Sequence, residues 1–258
     1  MSESLKVLLQ QALDITSNAS AIPAREFSLL LDIDLKEDES PVTRADRATE
    51  TFIREALTAR FPYDGIYGEE FGVSGLDHNR VWVVDPIDGT KSFVTGVPLF
   101  GMLLALIEKG ETILGIVRFP ALNQVYAAIK GGTATKDGKA IHASNCRALN
   151  DAVLFINEPE KIYNADAALF AQLTKAGRGR RMAYDCLPHA LVAEGRVDAA
   201  IDFDLKPYDY LPLVPVVEEA GGVITDWAGK PLGFDSDGRV VTAATPELHR
   251  QMLDLLGT

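Results

Sequence analysis

The order of apolar segments in this 258-residue chain predicts an α+β fold in which helices and strands form layers. Two observations support this prediction. In the first half, strand-like segments follow one another with short connections, at residues 81–84, 99–107, 112–118 and 124–129. The turn Lys109-Gly110 is typical of a hairpin and indicates antiparallel strands. In the second half, from about Ala152, strands alternate with helices.

Two helices are predicted before the first strands, and the remaining elements follow in the second half. Residues 1–18 carry Leu5, Leu8 and Leu9 at helical spacing. A second helix begins at Thr43, a candidate N-cap, with Asp46 three residues later. The second half predicts, in order, a strand near 152, a helix at 165–175, a strand at 180–183, a helix at 187–194, a strand at 197–203, a helix at 209–220, a strand at 223–225 and a helix after 246.

Composition and charge bound the class of protein. We expect one domain over residues 1–258, with an antiparallel half at about 1–150 and an α/β half at about 151–258. A net charge of −12 argues against nucleic acid or an anionic membrane as the main partner. The sequence shows no signal-peptide pattern and no apolar run of membrane length, so we expect a cytoplasmic protein. Cys146 and Cys186 lack disulfide or zinc spacing, and we interpret both as buried or unreactive thiols.

Residues 82–93 carry the strongest functional signal and read Trp-Val-Val-Asp-Pro-Ile-Asp-Gly-Thr-Lys-Ser-Phe. The apolar run predicts a strand that Pro86 ends, because proline has no N–H to donate. Asp85 and Asp88 then lie at the strand end, where two neighbouring carboxylates need a cation and select Mg²⁺ or Mn²⁺. If a helix starts next, the N–H groups of Gly89 and Thr90 can hold a phosphate oxygen. Taken alone, an Asp-x-x-Asp pair is more often ordinary turn chemistry.

The complete segment resembles the signature of the inositol monophosphatase superfamily, which comprises Mg²⁺-dependent, Li⁺-sensitive phosphomonoesterases. The resemblance extends over most of the chain. It implies a layered α-β-α-β-α sandwich, a homodimer, and a small phosphate ester as substrate. It also implies two or three Mg²⁺ ions per site, with Mn²⁺ as a substitute.

Three carboxylates outside the segment gain a role from this resemblance. Glu69, in Gly-Glu-Glu-Phe-Gly at 68–72, would alone belong to an exposed acidic loop, but the family places this glutamate on the metal and Glu70 beside it. Asp209 alone would cap a helix, whereas the family's aspartate here ligates a second metal and contacts a substrate hydroxyl. Residues 36–46 resemble the family's mobile loop. Asp46 there would hold a third metal or its water, or cap its helix, and both alternatives stay open.

The implied mechanism requires no covalent nucleophile. Two ions about 4 Å apart would clamp the phosphate and activate a water molecule for in-line attack. Their ligands would be Glu69, Asp85 as the bridge, the Ile87 carbonyl, Asp88 and Asp209. The Thr90 hydroxyl and Glu69 would orient and deprotonate the water, with Asp46 as a further catalytic candidate. The N–H groups of Gly89 and Thr90 would bind the phosphate.

The substrate is suggested by segments further along the chain, which resemble the histidinol-phosphatase branch, active in histidine biosynthesis, more than the inositol branch. They are Tyr-Asp-Cys at 184–186, Ala-Glu-Gly-Arg-Val-Asp at 193–198 and Lys-Pro-Tyr-Asp-Tyr at 206–210. Histidinol phosphate carries an ammonium and an imidazole, which Asp185 and Asp202 would bind. Tyr184 stands where the branch usually has glycine, and Asp202 where it has glutamate. We interpret His189 as a hydrogen-bonded or exposed helix residue.

Two other functions stay open from the sequence. A phosphatase for inositol 1-phosphate, or for a broad range of sugar and polyol phosphates, would use the same metal ligands with hydroxyl-binding groups around the substrate. A non-catalytic interaction protein is the more distant alternative. The loss of a metal ligand would be its simplest sign, and each expected ligand position carries a competent residue.

Overall fold

The computed structural model of the protein describes residues 3–30 and 41–257. Within these residues the chain forms ten α-helices and thirteen β-strands. The helices are α1 (Glu3–Ala19), α2 (Ala21–Leu30), α3 (Pro41–Arg60), α4 (Thr90–Val94), α5 (Pro159–Ala165), α6 (Ala167–Leu173), α7 (Leu187–Ala193), α8 (Pro207–Tyr210), α9 (Leu213–Glu218) and α10 (Pro246–Leu256). The strands are β1 (Gly65–Gly68), β2 (Gly72–Ser74), β3 (Arg80–Asp88), β4 (Gly101–Glu108), β5 (Glu111–Phe119), β6 (Gln124–Ile129), β7 (Thr135–Lys136), β8 (Lys139–Ala140), β9 (Val153–Ile156), β10 (Gly179–Met182), β11 (Ala199–Asp202), β12 (Val223–Asp226) and β13 (Val240–Ala243).

Eight strands form the first sheet, in the order β2-β1-β3-β4-β5-β6-β7-β8. The four strands predicted between residues 81 and 129 are adjacent and antiparallel, so this part of the prediction is confirmed. β1 was not predicted, and it pairs with β3 in parallel. Its register places Gly68 beside Val84, so the next residues, Glu69 and Asp85, lie side by side.

Five strands form the second sheet, in the order β10-β9-β11-β13-β12. β9 pairs in parallel with both β10 and β11, and the intervening helices α5, α6 and α7 supply the crossovers that parallel pairing needs. The other pairs, β11 with β13 and β13 with β12, are antiparallel.

The two sheets and their helices form five layers. One face of the first sheet, which includes Trp82 and Leu104, packs against α1 and α3 through apolar residues such as Leu57. The opposite face packs against the layer of α7, α8 and α9. The second sheet follows, and α5, α6 and α10 cover its outer face. This is the α-β-α-β-α order that the resemblance implies. None of the helices in the described ranges combines the length and the apolar character needed to cross a membrane.

Some boundaries differ from the sequence prediction. α3 begins at Pro41, so Thr43 lies inside the helix instead of capping it. The helix predicted over residues 209–220 is divided into α8 and α9. Two helices, α5 and α6, occupy the region around the predicted helix at 165–175, because Asp166 starts a new helix by accepting the Leu169 N–H at 2.9 Å.

Candidate active site

Parallel pairing of β1 and β3 brings the first two candidate ligands together. The Glu69 N–H donates to the Val84 carbonyl at 3.2 Å, which continues the ladder one residue beyond β1. Asp85, the next residue of β3, is buried, with 1% of its surface exposed. Glu69 is exposed, and both carboxylates border one cavity. The sheet edge therefore presents two carboxylates from different strands to one space.

The prediction that Pro86 ends the strand is wrong. β3 continues to Asp88, which pairs with Gly101, and its register against β4 shifts between Asp85 and Asp88. The Ile87 N–H turns back to Asp85 Oδ1 at 3.0 Å, so it does not extend the regular ladder. Proline removes one ladder donor and causes a bulge, because pairing resumes once the chain has turned. This bulge brings Asp85 and Asp88 to the same side of the strand end.

A short helix follows the bulge, as the motif suggested. Gly89 precedes α4 with φ = 90°, a left-handed conformation that favours glycine. A Cβ at this position would also lie 2.5 Å from Asp185 Oδ2. The first helical bond runs from the Phe93 N–H to the Gly89 carbonyl at 2.9 Å. The N–H groups of Gly89 and Thr90 precede this bond, at the end of the helix where backbone donors lack intrahelical partners.

Asp209 approaches this group from the other half of the chain. It is the third residue of α8, and its Oδ2 accepts the Lys206 N–H at 2.7 Å. Asp85, Asp88 and Asp209 each offer one carboxylate oxygen, and these oxygens lie within 4.8 Å of one another. The structure thus brings together three of the predicted metal ligands, and Glu69 and Ile87 line the same cavity.

Burial and neighbouring negative charges raise the pKa values of this carboxylate group. Burial, followed by the charge of Glu69, holds the pKa of Asp85 well above its usual range. Burial and then Asp185 do the same for the pKa of Asp88. Burial and Asp209 raise the pKa of Glu69 to about 7, and burial raises the pKa of Asp209 to about 6. The donors are all oxygen atoms, which fits Mg²⁺ or Mn²⁺, and a bound cation would relieve the repulsion.

Asp46 lies next to this group and is almost completely buried, with 2% of its surface exposed. Among the described residues, none forms a hydrogen bond with its Oδ1. Burial, then the charges of Glu69 and Glu70, raise its pKa to about 8. The capping alternative is excluded because α3 begins five residues earlier, at Pro41. Residues 36–40 of the predicted mobile loop lie outside the described residues.

A second cavity, of about 220 Å³, adjoins the carboxylate group. Its lining includes Asp88, Ser92, Asn157, Asp185, His189, Asp202 and Asp209. Both predicted substrate residues, Asp185 and Asp202, therefore border one space next to the candidate metal ligands.

Asp202 is buried in a hydrogen-bond network at the base of this cavity. Its Oδ2 accepts the Asn157 Nδ2 at 2.7 Å and lies 3.3 Å from His189 Nε2. His189 Nδ1 lies 2.8 Å from Thr242 Oγ1, so both ring nitrogens have partners. The interpretation of His189 as a hydrogen-bonded helix residue is confirmed. Asp202 is thus engaged by the protein itself before any substrate arrives.

Asp185 belongs to a turn of unusual backbone conformation. Ala183, Tyr184 and Asp185 have φ values of 70°, 92° and 53°, a run of left-handed residues without glycine. Such strain persists where surrounding contacts enforce it. Asn157 Nδ2 donates to the Asp185 carbonyl at 2.8 Å, and the Ser92 hydroxyl donates to Asp185 Oδ2 at 2.5 Å. These contacts hold the Asp185 carboxylate at the cavity wall.

Sequence reasoning did not identify Ser92, Asn157 or the buried glutamate Glu50 as parts of the site. Asn157 directly follows the apolar strand β9, and a polar residue at a buried strand end was the available signal. Glu50 is completely buried on α3, and its position on the apolar side of an amphipathic helix was its signal. Ser92 offered none, since a serine in a short helix is ordinary.

Comparisons with known proteins agree with this geometry. The model of the inositol monophosphatase family matches residues 4–257. A histidinol-phosphatase from Chlorobaculum parvum is 35% identical over 251 residues, which is 96% of each chain. A histidinol-phosphatase from Mycobacterium tuberculosis is 39% identical over 228 residues, covering 86% of this chain and 88% of that protein. The solved structure of an inositol monophosphatase from Zymomonas mobilis superposes with a TM-score of 0.91 at 34% identity and covers 100% of both chains.

The family model and the likenesses to the Chlorobaculum and Zymomonas proteins extend over nearly the full length of the chain. They also confirm the family and the fold that the sequence motifs suggest. The chain belongs to the inositol monophosphatase family and is a phosphatase.

Proposed function

We propose that the protein is a Mg²⁺-dependent phosphomonoesterase whose preferred substrate is histidinol phosphate. The observation that carries this proposal is the pair of adjoining cavities. One, of about 280 Å³, contains the convergent carboxylates and the start of α4. The other, of about 220 Å³, is lined by further carboxylates. Asp88, Asp185 and Asp209 border both, so an ester could place its phosphate in the first and its alcohol in the second.

The residues that would hold the metal ions are Glu69, Asp85, the Ile87 carbonyl, Asp88 and Asp209. When bound, the ions neutralise phosphate charge and lower the pKa of a coordinated water molecule. The buried Oδ1 of Asp46, which has no hydrogen-bond partner in the part of the chain that the structure describes, supports a role for this residue in holding a further ion or its water.

Thr90 and Glu69 are the residues that would orient the attacking water. Both border the larger cavity, and the Glu69 carboxylate is the candidate proton acceptor. The N–H groups of Gly89 and Thr90 would donate to phosphate oxygens at the start of α4. The chain itself thus supplies the phosphate donors and a proton acceptor.

The charge of the second cavity favours a cationic alcohol. Six carboxylate residues line it: Asp88, Glu158, Glu160, Asp185, Asp202 and Asp209. Its lysine, Lys91, has a side chain that is 77% exposed and lies 3.5 Å from Glu158. Histidinol phosphate would bring an ammonium and an imidazole to this wall. The names of the relatives from Chlorobaculum and Mycobacterium are in line with that substrate.

Inositol 1-phosphate is the second candidate substrate, because the Zymomonas structure is that of an inositol monophosphatase. Ser92 and Asn157 could serve hydroxyl groups, although both are engaged by Asp185. Asp202 is occupied by Asn157 and His189, so Asp185 is the more available carboxylate for a cationic substrate.

A phosphate-release assay tests this proposal. Histidinol phosphate, inositol 1-phosphate and glycerol phosphate would be compared with Mg²⁺ present and with a chelator. We expect turnover that requires Mg²⁺ and a kcat/KM that is highest for histidinol phosphate. A higher kcat/KM for inositol 1-phosphate would replace the histidinol proposal with that of an inositol or broad-specificity phosphatase.

We further propose that the enzyme is a homodimer, on the strength of the family resemblance. Light scattering on the purified protein measures its mass directly. A monomer mass of 28.0 kDa in solution would contradict this expectation.

A further inference from the structure

The loop that carries Glu69 is wrapped around one buried carboxylate. Glu50, on α3, is completely buried. Its Oε2 accepts the Glu70 N–H at 2.7 Å, and its Oε1 accepts the Phe71 N–H at 3.3 Å. Arg54, one helical turn later, donates from Nε to Glu50 Oε1 at 2.7 Å and from a guanidinium nitrogen to the Gly72 carbonyl. The pair therefore binds the loop at three successive residues, 70 to 72.

Gly68, the last residue of β1, shows how closely the chain approaches Glu50 just before the loop begins. A Cβ on Gly68 would lie 2.0 Å from Glu50 Oε1 and 2.9 Å from a guanidinium nitrogen of Arg54. A side chain at this position would therefore displace the buried pair. The glycine of the Gly-Glu-Glu motif is explained by its contact with Glu50, not by a turn.

Glu69 is thereby fixed from both sides. Its own N–H is bonded to Val84 of β3, next to Asp85. The following two N–H groups are bonded to Glu50. The backbone of Glu69 thus has little freedom, and its side chain borders the cavity of the candidate metal ligands. Glu50 cannot take the place of Glu69, because its two oxygens are engaged by Arg54 and the loop.

We propose that Glu50 and Arg54 form a positioning pair that sets the place of Glu69 for metal binding. This inference rests on the proposed metal-dependent function. Residues that hold a metal ligand in place affect affinity because they remove the cost of ordering that ligand. Arg54 compensates the buried charge of Glu50, which leaves the carboxylate free to accept two backbone N–H groups.

The substitution Glu50→Gln tests the proposal. Glutamine keeps the shape of the side chain but turns an NH₂ group towards either Arg54 or a loop N–H, so one contact is lost. We expect the dissociation constant for Mn²⁺, measured by calorimetry on metal-free protein, to rise about 10- to 100-fold. The kcat should recover towards the wild-type value at saturating metal, because the loss lies in metal affinity.

Asp64→Asn is the matched control. Asp64 has a side chain only 4% exposed, lies 2.8 Å from Arg80, and accepts the Trp82 indole N–H at 2.9 Å. The substitution Asp64→Asn therefore removes the same kind of buried contact as Glu50→Gln. Arg80 lies at the other end of β3, five residues before Asp85, or about 16 Å along the strand. We expect Asp64→Asn to lower the melting temperature and to leave Mn²⁺ affinity unchanged.

A double-mutant cycle with Glu69→Gln separates positioning from a general structural effect. If Glu50 acts through Glu69, adding Glu50→Gln to Glu69→Gln should weaken Mn²⁺ binding less than about threefold further. Should Glu50→Gln fail to fold, as judged by near-UV circular dichroism, Arg54→Gln takes its place in the same cycle. This variant opens the pair from its more exposed side, since the Arg54 side chain is 17% exposed.

The outcomes distinguish this inference from the proposed function. Wild-type protein that binds neither Mg²⁺ nor Mn²⁺ would overturn both. Normal binding by the wild type together with unchanged binding by Glu50→Gln would overturn the positioning pair alone. A loss from Glu50→Gln that persists undiminished in Glu69→Gln would also overturn it, because Glu50 would then act by another route.

Discussion

The two adjoining cavities form one cleft, and its two ends hold their carboxylates in opposite ways. At one end, Asp85, Asp88 and Asp209 face one another within 4.8 Å. Burial raises the pKa of all three, and the charges of neighbouring carboxylates raise those of Asp85 and Asp88 further. At the other end, Asp202 has Asn157 and His189 as partners. A bound cation would neutralise the charge of the first group, whereas Asp202 already has its partners within the protein.

This difference predicts opposite responses to the removal of a charge. At the end proposed to bind metal, a neutral substitute relieves repulsion in the metal-free protein but removes a proposed ligand. Where a carboxylate is already satisfied by protein donors, the same change leaves those donors without a charged partner. The sign of the stability change, measured together with activity, therefore distinguishes a carboxylate repelled by its neighbours from one that protein donors stabilise.

The largest effect is expected for Asp88→Asn. Activity should fall by about 10³-fold or more, since more than about 4 kcal/mol of transition-state stabilisation would be lost. The metal-free variant should melt at or above the wild-type temperature, because one negative charge has left the group. Phosphate release and metal-free thermal unfolding measure the two effects. Near-normal turnover by Asp88→Asn at saturating Mg²⁺ would contradict its role as a ligand.

Thr90→Ala should have the next largest effect. Its hydroxyl is proposed to hold the attacking water, so kcat should fall by about 10²- to 10⁴-fold while KM changes little. Steady-state kinetics with histidinol phosphate at saturating Mg²⁺ measure both constants. Thr95→Ala is the control, because Thr95, at the end of α4, bonds only to carbonyls of its own helix. A change confined to KM would place Thr90 in substrate binding instead.

Asp185→Asn should act on one class of substrate. A charged contact left unpaired costs about 2–4 kcal/mol, so kcat/KM for histidinol phosphate should fall roughly 30- to 1000-fold. Glycerol phosphate carries no cation and should be affected much less, and metal affinity should stay unchanged. The ratio of kcat/KM for the two esters is the measurement. An equal loss of kcat/KM for both esters would show that Asp185 does not bind the positive charge of the alcohol.

The sequence predicted residues that lie together in one motif better than residues whose roles depend on distant contacts, for a physical reason. Asp85 and Asp88 lie three residues apart in one turn, so their proximity is local and visible in a motif. Glu50 and Asn157 acquire their roles from partners 20 and 28 residues away, namely Glu70 and Asp185, and no local pattern reports such a contact.

The fold shows the same division. The strands β3 to β6 have long apolar runs and consecutive pairing, and they were predicted. β1 and β13, with four residues each, were not predicted, although β9 and β12, which have the same length, were. The proline bulge after Asp85 was also not predicted, because the pairing of Asp88 with Gly101 restores the ladder beyond Pro86.

The smallest effect on stability is expected for substitution of Glu194, a carboxylate outside the cleft that is bonded to protein donors. At the end of α7, it accepts the Tyr126 hydroxyl at 2.6 Å and lies 2.8 Å from Lys136 Nζ. Burial acts to raise its pKa, but the hydrogen bonds from Lys136 and Tyr126 outweigh burial and leave the pKa below its ordinary 4.5. The contact joins β6 and β7 of the first sheet to α7.

Glu194→Gln should therefore destabilise the protein, opposite in sign to Asp88→Asn in the metal-free state. The expected loss at pH 7 is about 1 kcal/mol, since charge-assisted bonds become neutral ones. A lowered acid pKa contributes stability above the unfolded pKa and loses it as pH falls through the folded value, so the difference should shrink below about pH 4.5. Urea unfolding at several pH values measures this loss of stability. We propose that both halves of the chain unfold in one transition.

The control is Asp237→Asn, which removes an exposed partner of Arg239 and should change stability little at any pH. A Glu194→Gln loss that stays constant down to pH 3 would mean that the carboxylate charge is not what stabilises this contact.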